Sequence, residues 1–158
     1  MVYAVLIVIA AAVGIDQVLK QIVINTLEIG QSVPLIEGVF HFTYIRNFGA
    51  AFSILQNRQV FLIAVTGIVM AAAAVILFKN IKNMSRLASF SLAAVIGGGI
   101  GNIIDRIRLG YVVDFLDFKL IDFPVFNFAD CCVVVGAFAL VAAVFVSDRK
   151  DREKKLNG

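Results

Sequence analysis

The chain has 158 residues, 61% of them hydrophobic and 16% charged, with two prolines, no tryptophan and a formal charge of +3. Soluble domains carry about 45–50% apolar and about 25% charged residues, so this composition excludes an ordinary soluble domain and fits a single compact helical bundle in a membrane. The charge is small and clustered and lacks the interleaved basic and aromatic side chains of a nucleic-acid surface, so no nucleic-acid partner is expected and Lys and Arg serve as topology signals.

The first apolar segment, about 2–24, is long enough to cross the hydrocarbon core, which takes about 20 residues. It begins Met1-Val2-Tyr3-Ala4, without the basic start of a cleaved signal peptide, and it carries Asp16 and Lys20. It is therefore read as a retained span. Asp16 and Lys20 are four apart with the acid first, the favoured order for an ion pair on one helix. The connection that follows, about 25–58, is too long for a turn. Within it Phe40, Phe42, Tyr44 and Arg46 alternate with His41, Thr43 and Ile45, a period of two rich in aromatic and β-branched residues. Gly30 and Pro34 punctuate its approach, and Asn47-Phe48-Gly49-Ala50-Ala51-Phe52 reads as a turn after it. The outer region of about 31–57 is expected to form a small β-sheet resting on the membrane surface. His41, the only histidine, is read as structural.

The second span, about 59–78, is followed by Lys79, Lys82 and Arg86 with no acidic residue between them. The third, about 87–104, is slightly short and contains Gly97-Gly98-Gly99 and Gly101, so it is expected inside the bundle, where small residues let backbones approach. Asn102 and Asp105 at its end are three apart and share a helix face, with Arg106 next to the acid. The connection of about 105–128 holds Asp114, between Val113 and Phe115 with no adjacent cation. Asp117 and Asp122 in the same loop, near Lys119, read as solvated charges. Asn127 and Asp130 repeat the three-residue spacing at the head of the last span, about 129–147. Cys131 and Cys132 are adjacent and form no framework or metal motif, so they are read as two small buried apolar side chains. The tail, 148–158, is a solvated charge run.

Basic residues favour the cytoplasmic side. The connection after the second span and the tail, with Arg149, Lys150, Arg152, Lys154 and Lys155, are therefore expected inside, which puts both termini in the cytoplasm. Asp114 and Asp130 then lie at the extracytoplasmic face.

An ionisable group at a bilayer boundary is costly unless something pairs or uses it. One histidine excludes H-E-x-x-H zinc chemistry, no G-x-S-x-G elbow occurs, and the glycine run lacks the Lys-Ser/Thr ending of a phosphate loop. Carboxylates remain, and two that share a proton can hydrolyse a peptide bond by acid-base catalysis. On the residues alone Asp16 and Asp105 rank almost level with Asp114 and Asp130. The same acids also fit a small membrane transporter or proton-conducting protein, although they gather at one face and no inverted repeat is visible. A non-catalytic assembly factor would leave Asp114 and Asp130 without a use.

Five stretches, in order, carry a resemblance that covers most of the chain from Gly14 to Asp130. They are Asp16-Gln17 with Lys20, Asn47-Phe48-Gly49-Ala50-Ala51-Phe52, the run Gly98-Gly99-Ile100-Gly101-Asn102-Ile103-Ile104-Asp105-Arg106, Val112-Val113-Asp114-Phe115, and Phe123-Pro124-Val125-Phe126-Asn127-Phe128-Ala129-Asp130. Together they resemble the lipoprotein signal peptidases, or signal peptidase II. That resemblance implies a membrane α-helical fold, a four-transmembrane-helix bundle with a small extracytoplasmic β-sheet as a cradle. The implied activity is an aspartic endopeptidase of the bacterial cytoplasmic membrane. It cleaves the signal peptide from diacylglyceryl-modified prolipoproteins on the N-terminal side of the lipidated cysteine. Asp114 and Asp130 match the family's catalytic pair, and Asp16, Lys20, Asn47, Gly49, Asn102, Asp105, Arg106 and Asn127 match residues that line or support the site. No metal or organic cofactor is expected. The implied partners are the prolipoprotein substrate, membrane lipid and a globomycin-type inhibitor, and the protein is expected to be a monomer. One departure is Cys131-Cys132, where a small polar residue is usual.

Overall fold

The structure, a computed structural model, describes residues 1–49, 58–121 and 123–156, with side chains as far as Ser147. Ala50, Ala51 and Phe52 of the expected turn, the outer region from 50 to 57, Asp122 and the tail's side chains lie outside the described residues. Four helices are long and apolar enough to cross a membrane: α1 (Val2–Thr26), α2 (Gln59–Asn80), α3 (Arg86–Leu109) and the Phe128–Ser147 part of α4 (Phe128–Leu156). The protein is a multi-pass membrane protein with a four-helix bundle and a small antiparallel sheet. The sheet, in order β1–β2–β3, consists of Ser32–Ile36, Phe40–Asn47 and Val112–Phe118.

α3 is the central helix. It buries 56% of its spanning window, whereas the other three bury 17–22% and turn their remaining apolar surface to lipid. Its glycines are the cause. A Cβ on Gly97 would collide with Ala12 of α1, one on Gly98 with the backbone carbonyl of Ala129 in α4, one on Gly99 with the side chain of Met70 in α2, and one on Gly101 with the Asp16 carboxylate. Lipid supplies no hydrophobic drive for helix association, so close backbone packing of this kind must provide it. At the end remote from the sheet, Val5, Leu77, Ile81, Leu92, Ala93 and Ile96 form the apolar core. There the short link into α3 is closed by Ser85, whose hydroxyl caps the Ala88 N–H at 3.1 Å.

The sheet caps the opposite end of the bundle. β1 and β2 form a hairpin whose turn uses Gly38 at φ 67°, and β2 pairs with β3 through a register shift between Phe42 and Ile45. Tyr44, Val113 and Phe115 pack with Val23 of α1 and seal the sheet to the bundle.

Several expectations need correction. α3 does not stop near residue 104. It runs to Leu109, because Asp105 and Arg108 find partners on α1, and it ends where Gly110 adopts φ 79°. The connection expected as a loop contains β3. Its two aspartates, Asp114 and Asp117, both have side-chain hydrogen-bond partners, so the strand carries them at little cost. The tail continues the last helix as far as Leu156.

The glycine contacts predict unequal tolerance. Gly98→Ala should destabilise the protein by about 1–3 kcal/mol, because a backbone carbonyl cannot yield. Gly99→Ala should cost clearly less, since the flexible Met70 side chain can turn aside. Thermal unfolding in detergent micelles measures both.

Candidate active site

Two polar layers meet where α3 ends and α4 begins. The first is set by β3. The αL turn at Gly110 sends the chain from α3 into the strand, whose alternation sends Val113 and Phe115 to the core and Asp114 the other way. Asp114 is buried, with 2% of its surface exposed. Each of its carboxylate oxygens accepts an amide hydrogen: Asn47 Nδ2 donates to Oδ2 at 2.9 Å, and Asn127 Nδ2 to Oδ1 at 2.6 Å. Asn47 lies at the end of β2 opposite Val112, and its own Oδ1 accepts the Gly49 N–H at 2.9 Å.

The second layer is the start of α4. Asn127 Oδ1 accepts the Asp130 N–H at 2.9 Å, and Asp130 Oδ2 accepts the Asn127 N–H at 3.2 Å. This reciprocal capping box holds Asp130 in the first turn, where the helix dipole favours a negative charge. Asn102 Nδ2 donates to Asp130 Oδ1 at 2.8 Å. All four oxygens of the two aspartates therefore have a donor, and Asn127 touches both groups.

Beneath them lies a buried charged cluster. Lys20 Nζ contacts Asp16 Oδ2 at 2.9 Å, Asp105 Oδ2 at 3.0 Å and Asn102 Oδ1 at 2.9 Å. Asp16 also accepts the Ala129 N–H, and Asp105 the Val113 N–H, so the two carboxylates tie α1 and α3 to the elements that carry Asp130 and Asp114. The cation beside Asp105 is thus Lys20. Arg106, its sequence neighbour, instead donates to the carbonyls of Gly49 at 3.0 Å and Asn102 at 3.4 Å. Its Nε is buried without a partner among the described residues.

Asp114, Asp130, Asn47, Asn102 and Arg106 line one cavity of about 810 Å³, whose remaining wall is largely apolar, with Ile45, Val112, Phe126 and Val133–Val135 among its residues. Burial pushes the Asp114 carboxyl up to about 7, and the neighbouring Asp130 charge pushes in the same direction against its two amide donors. A carboxyl poised near neutrality beside a second carboxyl is suited to passing protons. Among the described residues no group of three or more His, Cys, Asp or Glu could hold a metal ion.

The fold brings all ten residues singled out from the sequence to this region, in two tiers: Asp114, Asp130, Asn47, Asn102 and Arg106 at the cavity, with Asp16, Lys20, Gly49, Asp105 and Asn127 behind it. Gln17 stands in the first motif stretch, but sequence reasoning gave it no role. Its amide donates to Asp105 Oδ1 at 2.9 Å and to the Gly101 carbonyl at 3.2 Å, and its place beside Asp16 was the available signal. Asp117 is corrected: it is 3% exposed, accepts from Thr43 at 2.5 Å and pairs with Lys119 at 2.7 Å. Burial alone would raise its carboxyl, but these bonds outweigh that and hold it below its ordinary value. The cysteines are half-buried and free, and Cys131 lines the cavity. His41 shares a hydrogen bond with Ser32 on the sheet.

Comparison with known proteins agrees with this arrangement. Residues 8–146 match the family model described as signal peptidase (SPase) II. A lipoprotein signal peptidase of Brevibacillus brevis is 46% identical over 143 residues, covering 90% of this chain and 95% of that one. One from Geobacter metallireducens is 46% identical over 153 residues, covering 94% and 93%. Among solved structures, a bacterial membrane enzyme determined in meso at 2.3 Å superposes with a TM-score of 0.85 at 30% identity, covering 94% of this chain and 91% of that one.

Asn127 combines a helix cap with a donor to Asp114, and the two roles separate by mutation. Asn127→Ala should cost about 1–2 kcal/mol of stability in thermal unfolding. Asn127→Ser, which still caps but does not reach Asp114, should recover most of that loss.

Proposed function

The chain belongs to the signal peptidase II family, and we propose that it is an aspartic endopeptidase that cleaves diacylglyceryl-modified prolipoproteins immediately before the lipidated cysteine. Family membership makes it a peptidase that removes signal peptides from prolipoproteins in a membrane. The observation that carries the aspartic reading is that Asp114 and Asp130, from different elements, line one apolar cavity and are bridged by Asn127.

In this mechanism Asp130 is the ionised partner. The helix dipole at the start of α4 favours its anion, whereas Asp114, raised to about 7, carries the proton. Asp130 takes a proton from water, whose oxygen attacks the carbonyl of the residue before the lipidated cysteine. Asp114 protonates the oxygen of that carbonyl as the tetrahedral intermediate forms. Asp130 then delivers its proton to the amide nitrogen, the C–N bond breaks, and the intermediate returns a proton to Asp114. The two carboxyls titrate as a unit, so the activity profile reports the pair. Lys20, Asp16 and Asp105 act at a distance from the scissile bond, as the scaffold of both carboxyls.

The apolar walls suit the diacylglyceryl chains, and the cavity's mixed lining suits a substrate that presents a polar backbone beside lipid. The basic link Lys79–Arg86 lies at the bundle end opposite the sheet, which supports cytoplasmic termini and an extracytoplasmic site. A single chain supplies both aspartates, consistent with action as a monomer.

Asp114→Asn and Asp130→Asn should each give folded, membrane-inserted protein with at least about a thousandfold lower cleavage of a lipidated precursor; near-normal turnover by either purified variant would sink the assignment. The wild-type rate should fall as pH rises through about 7, because Asp114 must hold a proton to donate. An unlipidated precursor should be cleaved far more slowly, and equal cleavage of both forms would contradict the substrate claim.

A further inference from the structure

Lys20 is buried, with 2% of its surface exposed, and an ammonium has three hydrogens to give and nothing with which to accept. It faces three acceptors at hydrogen-bonding distance: Asp16 Oδ2, Asp105 Oδ2 and Asn102 Oδ1. The last of these has a consequence for the amide it touches. Asn102 Oδ1 also accepts from Asn127 Nδ2 at 3.1 Å, and Asn127 cannot turn over because its own oxygen caps Asp130. Two donors therefore converge on one face of the Asn102 amide. Rotating that amide by half a turn would set its NH2 against both donors at a buried position. The NH2 is thereby committed to Asp130 Oδ1 at 2.8 Å.

We propose that Lys20 is a positioning residue for the reaction: by locking the Asn102 amide with its NH2 towards Asp130, it orients that carboxylate and, by its charge, keeps it ionised as the base. This rests on the aspartic reading given above. Lys20 touches neither cavity nor substrate. Its effect passes through one side chain, and the geometry separates the two components of that effect, a hydrogen bond and a charge. The ionisable groups around Asp130 are Lys20 and Asp16 from α1, Asp105 and Arg106 from α3, and Asp114 from β3, with Cys131 adjacent on α4. Lys20 and Arg106 are the cations among them, and Arg106 is engaged by the carbonyls of Gly49 and Asn102.

Three variants test this in full-length protein in detergent micelles, with cleavage of a diacylglyceryl-modified precursor followed across pH. Lys20→Met removes both donor and charge. It should lower kcat about a hundredfold with KM nearly unchanged, and move the acid limb of the profile up by about one pH unit, since loss of a nearby cation makes Asp130 harder to ionise. Lys20→Gln keeps an N–H for Asn102 without the charge, so it should recover much of kcat while the acid limb stays displaced. Asn102→Asp puts an acceptor where Asp130 needs a donor and leaves Lys20 intact, so it should also lose kcat and move the acid limb upward. If Lys20→Met proves too unstable to purify, the other two variants still decide the matter. An unmoved acid limb in Lys20→Gln and Asn102→Asp, whatever their kcat, would reduce Lys20 to a purely structural role and overturn the proposal. Activity in Asp114→Asn or Asp130→Asn, measured alongside, would instead indict the aspartic reading itself.

Discussion

The interaction on which the rest depends is the ammonium of Lys20 held between the carboxylates of Asp16 and Asp105 inside a membrane bundle. A lone charge in such a medium costs several kcal/mol, and removing one member of a buried set is worse than never having had it. The cluster therefore persists only as a whole. Because Asp16 Oδ1 also takes the Ala129 N–H, and Asp105 Oδ2, the oxygen that faces Lys20, also takes the Val113 N–H, the requirement to pair one lysine also fixes where α4 begins and how β3 leaves α3. A local electrostatic demand becomes the registration of three elements.

The glycine face of α3 makes that registration possible. Side chains at Gly98 and Gly101 would hold α4 and the Asp16 carboxylate away, and the hydrogen bonds described above would then span too far. Packing and polar pairing thus work in opposite halves of one helix. Toward the basic link the bundle is closed by aliphatic contacts, and toward the sheet by amides and carboxylates. The cavity lies in the second half, where it opens between the sheet and α4.

Asp114 and Asp130 share similar numbers of donors yet sit in different fields. Asp130 is in the first turn of a helix, close to Arg106, while Asp114 is in a strand and opposed by its partner's charge. On the aspartic reading proposed above, a strand for one carboxyl and a helix start for the other give two chemically identical side chains different surroundings.

Helix-length apolar blocks, the period of two over 40–46 and the i, i+3 and i, i+4 spacings are local patterns, so the sequence by itself determined the four spans, the outer sheet's central strand and the set of polar residues to watch. The same patterns left β3 hidden, because Asp114 and Asp117 interrupt an apolar strand and only their distant partners Asn47, Asn127 and Thr43 make that tolerable. They also set Arg106 beside Asp105, whereas a helix turns adjacent residues about 100° apart and the cation that reaches Asp105 comes from α1, 85 positions earlier in the chain. In the sequence Asp114 and Asp130 stand beside apolar residues, 16 positions apart. Only the tertiary structure decided that Asn127 joins them, its side chain on the Asp114 carboxylate and its backbone N–H on that of Asp130, because the reach from a helix start to a strand depends on how α3 lets those backbones approach, and no local spacing encodes that distance.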